Sequence, residues 1–124
     1  MIERKKVLVI DDDSTVLDFL VAKLGASCEV ISTASPREAL RLAREHKPDL
    51  ILCDIDMPEV DGGDISRQLF DDEAIRAIPF VYLTAIASPK ELGPRGGYLG
   101  GRMAISKHLP PDEMLDRVRK LLET

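Results

Sequence analysis

The segment Leu50-Ile51-Leu52-Cys53-Asp54-Ile55-Asp56-Met57-Pro58 constrains the chain most, because an unbroken apolar run turns to acid and then to proline. A half-buried strand alternates polar with apolar residues. A run with no polar position reads instead as a strand covered on both faces, as in a parallel sheet between helices. Such a strand leaves the core at Asp54, where a carboxylate is costly to bury without a cation, a lysine or hydrogen-bond donors. Lys6-Val7-Leu8-Val9-Ile10 makes the same transition and stops at Asp11-Asp12-Asp13.

Between and after these runs, strand and helix patterns alternate. Ser14-Thr15 opens a helical pattern with Val16, Leu17, Leu20, Val21 and Leu24 inward, which Gly25 ends; Cys28 to Ile31 is a short second strand. Ser35-Pro36-Arg37-Glu38 has a capping-box spacing with proline at the first helical position, and Pro48 closes the helix it opens. After the central strand, a helix carries Ile65, Leu69 and Phe70 on one face, and Ile78 to Leu83 is the fourth strand. Arg102 to Ser106 is the last, and Pro110-Pro111-Asp112-Glu113 opens a final helix with Met114, Leu115, Val118, Leu121 and Leu122 inward. Strict alternation of this kind predicts an α/β fold, with a parallel sheet, helices on both faces and a ligand site at the carboxyl ends of the strands.

One interval departs from the alternation. Five of the eight glycines fall between 93 and 101, with Pro89 and Pro94 nearby, where a fourth helix should run. Glycine opposes a helix interior by about 1 kcal/mol and proline by about 3 relative to alanine, so the pattern predicts a short turn or mobile loop over 88–101.

At 124 residues the chain reads as one domain spanning 1–124. No apolar run approaches a bilayer span and no secretory leader pattern follows Met1, so the expected setting is the cytoplasm, with no membrane contact. Seventeen basic against twenty-two acidic residues give a net charge of −5, which argues against direct nucleic-acid binding by the bulk surface. Cys28 and Cys53 sit in apolar strand patterns and read as small buried hydrophobes.

The polar residues that could carry chemistry all fall at strand carboxyl ends: Asp11 and Asp12 after the first, Asp54 after the third, Thr84 after the fourth, Lys107 after the fifth. Neighbouring parallel strands are about 4.8 Å apart, so adjacency of the first and third brings their acids together. Clustered carboxylates repel unless a cation joins them, and oxygen-only ligands suit Mg²⁺, which keeps waters that a phosphate can replace. An ionised Asp54 could then attack phosphorus as a nucleophile, with Thr84 and Lys107 holding the phosphoryl oxygens. Asp13 reads as a turn or cap residue, Asp61 and Asp64 as cap and solvent groups, and His46 as a surface cap; His108 can be read either way.

The fragments Val7-Leu8-Val9-Ile10-Asp11-Asp12, Cys53-Asp54-Ile55-Asp56-Met57-Pro58 with Asp61-Gly62, Leu83-Thr84-Ala85, and Lys107 before the last helix together resemble the receiver domain of two-component response regulators. The resemblance implies a flavodoxin-like, CheY-like doubly wound sheet of five parallel strands in order 2-1-3-4-5. It implies Asp54 as phosphoacceptor from a sensor histidine kinase or histidine phosphotransfer protein. It further implies Mg²⁺ bound by Asp11, Asp12, Asp54 and the Asp56 carbonyl, and Thr84, Lys107 and the Ala85 backbone around the phosphoryl group. On this reading the chain is a phosphorylated signalling switch rather than an enzyme, passing its state to a downstream partner or output domain.

Two positions depart from the family pattern. The aromatic residue usual three places before the lysine is Ala104, which has no rotamer to switch, so an outgoing signal would use Tyr98 or Met103. The proline usual after the lysine is His108, and a non-proline cis bond costs about 2.5 to 4 kcal/mol, so a trans Lys107–His108 bond is expected. Two alternatives follow. One is a receiver-like interaction module with an atypical output face. The other is a haloacid-dehalogenase-like phosphatase using Asp54-x-Asp56, which leaves Asp11-Asp12 unexplained.

Overall fold

Strands β1 (Lys6–Ile10) and β3 (Leu50–Asp54) lie side by side in a parallel sheet, and apart from half-buried Lys6 every residue of both is buried. The computed structural model describes residues 4–55, 62–85, 97–99 and 102–123. Strand β2 (Glu29–Thr33) pairs with the other side of β1, and β4 (Phe80–Thr84) with β3. Beyond β4 come the parallel β6 (Arg102–Ser106) and then β5 (Gly97–Leu99), antiparallel to β6. The full order is β2-β1-β3-β4-β6-β5. Counting parallel strands alone, this is the expected 2-1-3-4-5.

Side chains alternate across the sheet and fill two cores. Val7, Val9, Leu50, Leu52, Val81, Leu83 and Ile105 pack against helix α1 (Ser14–Leu24) through Leu17, Leu20 and Leu24, and against helix α4 (Pro111–Glu123) through Met114, Leu115, Val118 and Leu122. On the opposite face Leu8, Ile10, Ile51 and Cys53 meet Ala39 and Ala43 of α2 (Ala39–His46), Ile65 and Leu69 of α3 (Gly62–Phe70), and Ile75. Each fully buried Leu or Ile contributes about 1.5–3 kcal/mol over its exposed state, so these two layers hold the strand ends in place. No helix among the described residues is long and apolar enough to cross a membrane.

Several local expectations are corrected. Phe70 is 46% exposed, because a residue one step beyond Leu69 is turned about 100° around the helix and leaves the buried stripe. Val21 lies at the edge of its stripe and is 40% exposed. The Ser35 capping box does not form: a 3₁₀ turn, Pro36–Glu38, precedes α2, and the Ser35 side chain makes no cap bond. Glu38 is held instead by Arg41, whose Nε lies 2.6 Å from its carboxylate, while Ser35 N–H donates to Thr33 Oγ1 at 3.0 Å. β4 begins at Phe80, not Ile78, because Ile78 N–H closes a turn on the Ile75 carbonyl and Pro79 has no N–H for the ladder.

The expected loop over 88–101 is likewise corrected at 97–99, which form β5; residues 88–96 and 100–101, and with them the expectation of a short or irregular fourth helix, lie outside the described residues. The register pairs Leu99 with Arg102, so only Gly100 and Gly101 separate the two strands in sequence. Tyr98-Leu99 suits a strand, and antiparallel pairing with β6 decides for one.

Lys47, after α2 and before Pro48, has φ 48° and ψ 63°, the left-handed conformation that glycine adopts without strain. Lys47→Gly should therefore stabilise the fold by about 0.5–1 kcal/mol, the left-handed strain relieved less the added freedom of the unfolded chain. A higher urea midpoint with unchanged slope is the expected result.

Candidate functional site

Asp11 extends β1 by one residue, its N–H donating to the Thr33 carbonyl at 3.1 Å. Its side chain is fully buried and its two oxygens have different surroundings. Oδ1 accepts the Asp13 N–H at 2.9 Å, and Asp13 Oδ1 in turn accepts the Thr15 N–H at 2.9 Å, capping α1 as the sequence predicts. Among the described residues Oδ2 has no aligned hydrogen-bond donor; it lies 2.7 Å from Lys107 Nζ, an ion pair without hydrogen-bond angles.

Asp54 ends β3 and is 5% exposed; its Oδ1 lies 3.4 Å from the same ammonium. Asp12 is exposed on the turn, and one carboxylate oxygen from each of Asp11, Asp12 and Asp54 lies within 4.8 Å of the others. Lys107 follows β6, where its N–H donates to the Thr84 carbonyl at 2.7 Å and continues the β4–β6 ladder by one step. Burial of the amine works against its charge, but the close carboxylates of Asp11, then Asp54, outweigh it and hold the Lys107 ammonium above its ordinary pKa. The neighbouring Cys53 thiol is pushed far up by burial and then by the charges of Asp54 and Asp11, so it stays protonated and inert. Both cysteines are buried and free.

Thr84 is fully buried at the end of β4. Its carbonyl accepts from Lys107 N–H, and since a trans peptide sets N–H opposite C=O, the Ala85 N–H lies on the β3 side of the strand end. Asp11, Asp12, Asp54 and Lys107 thus converge as expected, with Thr84 and Ala85 on the adjoining strand; Asp56 and Asp61 lie outside the described residues. The donor set fits a hard divalent cation, being all oxygen and including a buried Asp11 Oδ2 with no aligned donor.

The remaining candidates stand apart from the cluster. Asp64 is exposed and paired with Arg67 at 3.5 Å. His46 ends α2, where its carbonyl accepts from Lys6 Nζ at 3.4 Å. Ala104 is fully buried and faces Tyr82 across the β4–β6 register, so the described aromatic ring in this part of the sheet belongs to β4; Tyr82 meets Phe80 edge to face at 5.5 Å. Met103 is half-buried against the first core. The Lys107–His108 bond is trans, as expected. Sequence reasoning left His108 open and gave no role to Ser106; the His108 ring contacts the Ala85 carbonyl, and the Ser106 hydroxyl accepts the His108 N–H at 3.1 Å. The available signal was a residue with both an N–H and a ring donor where proline is usual.

Comparison with known proteins agrees with this geometry. The sequence profile of the response regulator receiver domain matches residues 7–119. The polar-differentiation response regulator DivK of Brucella ovis is 45% identical over 84 residues, 67% of this chain and 68% of that protein. Among solved structures, the chemotaxis response regulator CheY4 of Vibrio cholerae superposes with a TM-score of 0.76 at 26% identity, covering 95% of this chain and 98% of that one. The receiver domain of the Francisella response regulator 1452 gives 0.75 at 26% identity, covering 96% and 97%.

Proposed function

The chain belongs to the response regulator receiver domain family of two-component signalling, and on that premise we propose that Asp54 accepts a phosphoryl group from a sensor histidine kinase or a histidine phosphotransfer protein. The observation that carries the reading is the convergence of Asp11, Asp12 and Lys107 on Asp54 at one lip of the sheet. The domain spans 1–124, acts in the cytoplasm, and hands its state to a protein partner or output domain rather than to nucleic acid.

In the transfer, a carboxylate oxygen of Asp54 forms the bond to phosphorus while the phosphorus–nitrogen bond to the donor imidazole breaks, its electron pair returning to nitrogen. Lys107 stands where its ammonium can turn from the carboxylates to the incoming phosphoryl oxygens. The Ala85 N–H and the Thr84 hydroxyl are the donors on the β4 side. Asp11, Asp12, Asp54 and the Asp56 carbonyl would hold Mg²⁺, which when bound neutralises charge on the transferring group. Fixed charges and donors suffice, because phosphoryl transfer asks for positioning and neutralisation more than covalent help.

Incubation with acetyl phosphate and Mg²⁺ tests the reading against its alternatives. One phosphoryl group per chain, mapped by peptide mass to Asp54, is expected. Catalytic consumption of the donor indicates a phosphatase, and no labelling an interaction module.

Asp12→Ala tests the cation site separately. Asp12 is exposed, so removing its charge relieves only solvent-screened repulsion and should raise metal-free stability slightly. The rise in Tm with added Mg²⁺, which follows from binding to the folded state alone, should shrink markedly. A full wild-type response would count against the site.

A further inference from the structure

His108 makes a contact that the phosphoryl chemistry above leaves unused: its Nε2 lies 2.6 Å from the Ala85 carbonyl oxygen, joining the exit of β4 to the turn after β6. A carbonyl only accepts, so the ring must be the donor, with its proton on Nε2. The preceding residue grips the preceding carbonyl, Lys107 N–H to Thr84 O at 2.7 Å. Successive carbonyls of an extended chain point to opposite sides, so the backbone after β6 alone cannot hold both, and from that side a side chain has to reach round for the second. Together the two bonds fix the peptide planes on either side of Ala85.

The ring is delivered from a rigid turn. His108 N–H donates to Ser106 Oγ at 3.1 Å, Leu109 N–H donates to the Ser106 carbonyl at 3.3 Å, Ser106 is buried, and Leu109 is anchored in the first core. We propose that His108 is a positioning residue that latches the β4 exit to the β6 turn and so holds the Ala85 amide beside Asp54 for phosphoryl transfer. This rests on Asp54 being the phosphoacceptor and adds a residue that touches no reacting atom.

The test combines His108→Ala, His108→Gln and ring NMR of the wild type. With acetyl phosphate and Mg²⁺, His108→Ala should be labelled on Asp54 at a rate lower by about three- to tenfold, the range one net hydrogen bond sets. His108→Gln, which can still donate an amide N–H, should recover most of that loss. The ¹⁵N shifts of the wild-type ring should show Nε2 protonated. A wild-type rate in His108→Ala, no recovery in His108→Gln, or a neutral ring protonated on Nδ1 overturns the latch. Absence of Asp54 labelling in the wild type overturns the underlying reading instead, and the ring tautomer still reports on the contact.

Discussion

Asp54→Asn is expected to abolish labelling by a small phosphodonor while leaving the fold intact. The carboxamide is neutral and its oxygen is a poor nucleophile, so the bond to phosphorus does not form at a comparable rate. The other acids at the lip are poorly placed to substitute. Asp11 is fully buried, with Oδ1 engaged by the Asp13 N–H and Oδ2 facing Lys107. Asp13 caps α1, and Asp12 is exposed on the turn. Folding survives because Lys107 keeps Asp11 as its closer partner, at 2.7 Å against 3.4 Å for Asp54. Intact-protein mass after phosphodonor treatment reads the result directly; undiminished labelling of the variant would remove Asp54 from the chemistry.

Lys107→Met carries the second large effect, here on stability. The lysine side chain is 14% exposed and lies between two buried carboxylates. Removing one partner of a buried pair typically costs about 3–5 kcal/mol, because the remaining charge is left uncompensated. A loss of about 3 kcal/mol is expected in metal-free buffer, with substantial recovery on adding Mg²⁺, which can neutralise the same carboxylates. Urea denaturation with and without Mg²⁺ measures both parts, and a metal-free loss below about 1 kcal/mol would rank the pair with ordinary surface ion pairs. In the wild type the pH dependence has a definite sign. The Lys107 pKa is raised on folding, so its contribution is fully present below the ordinary lysine value of about 10.4 and disappears as pH rises through the higher folded-state value.

The sheet and the charged site were legible in the sequence for a common reason: a buried parallel strand leaves an unbroken apolar run, and the residue that ends it marks the lip. Leu50 to Asp54 and Val7 to Asp11 state both facts in one dimension. Lys107 was legible only through its place after the last strand. What escaped depends on competition between neighbours. Ser35 and Glu38 have capping-box spacing, yet Arg41 takes the glutamate. Phe70 is apolar, yet one residue past the stripe. Gly97 to Gly101 argue against a helix equally well for a loop or a hairpin, and pairing with Arg102–Ser106 decides. The ring of His108 finds the Ala85 carbonyl across 23 positions of sequence, and no local pattern announces it.

The two oxygens of Asp11 set the substitutability of that position. Asparagine keeps an acceptor for the Asp13 N–H but turns an amide donor toward the Lys107 ammonium. Glutamate keeps the charge, but its extra methylene moves the acceptor away from an N–H only two residues on. Alanine loses both functions and leaves Lys107 with Asp54 alone. Asp12, exposed and offering only a charge, is under no such double demand. Position 11 is therefore restricted to one side-chain length and one charge by two independent contacts, one architectural and one chemical.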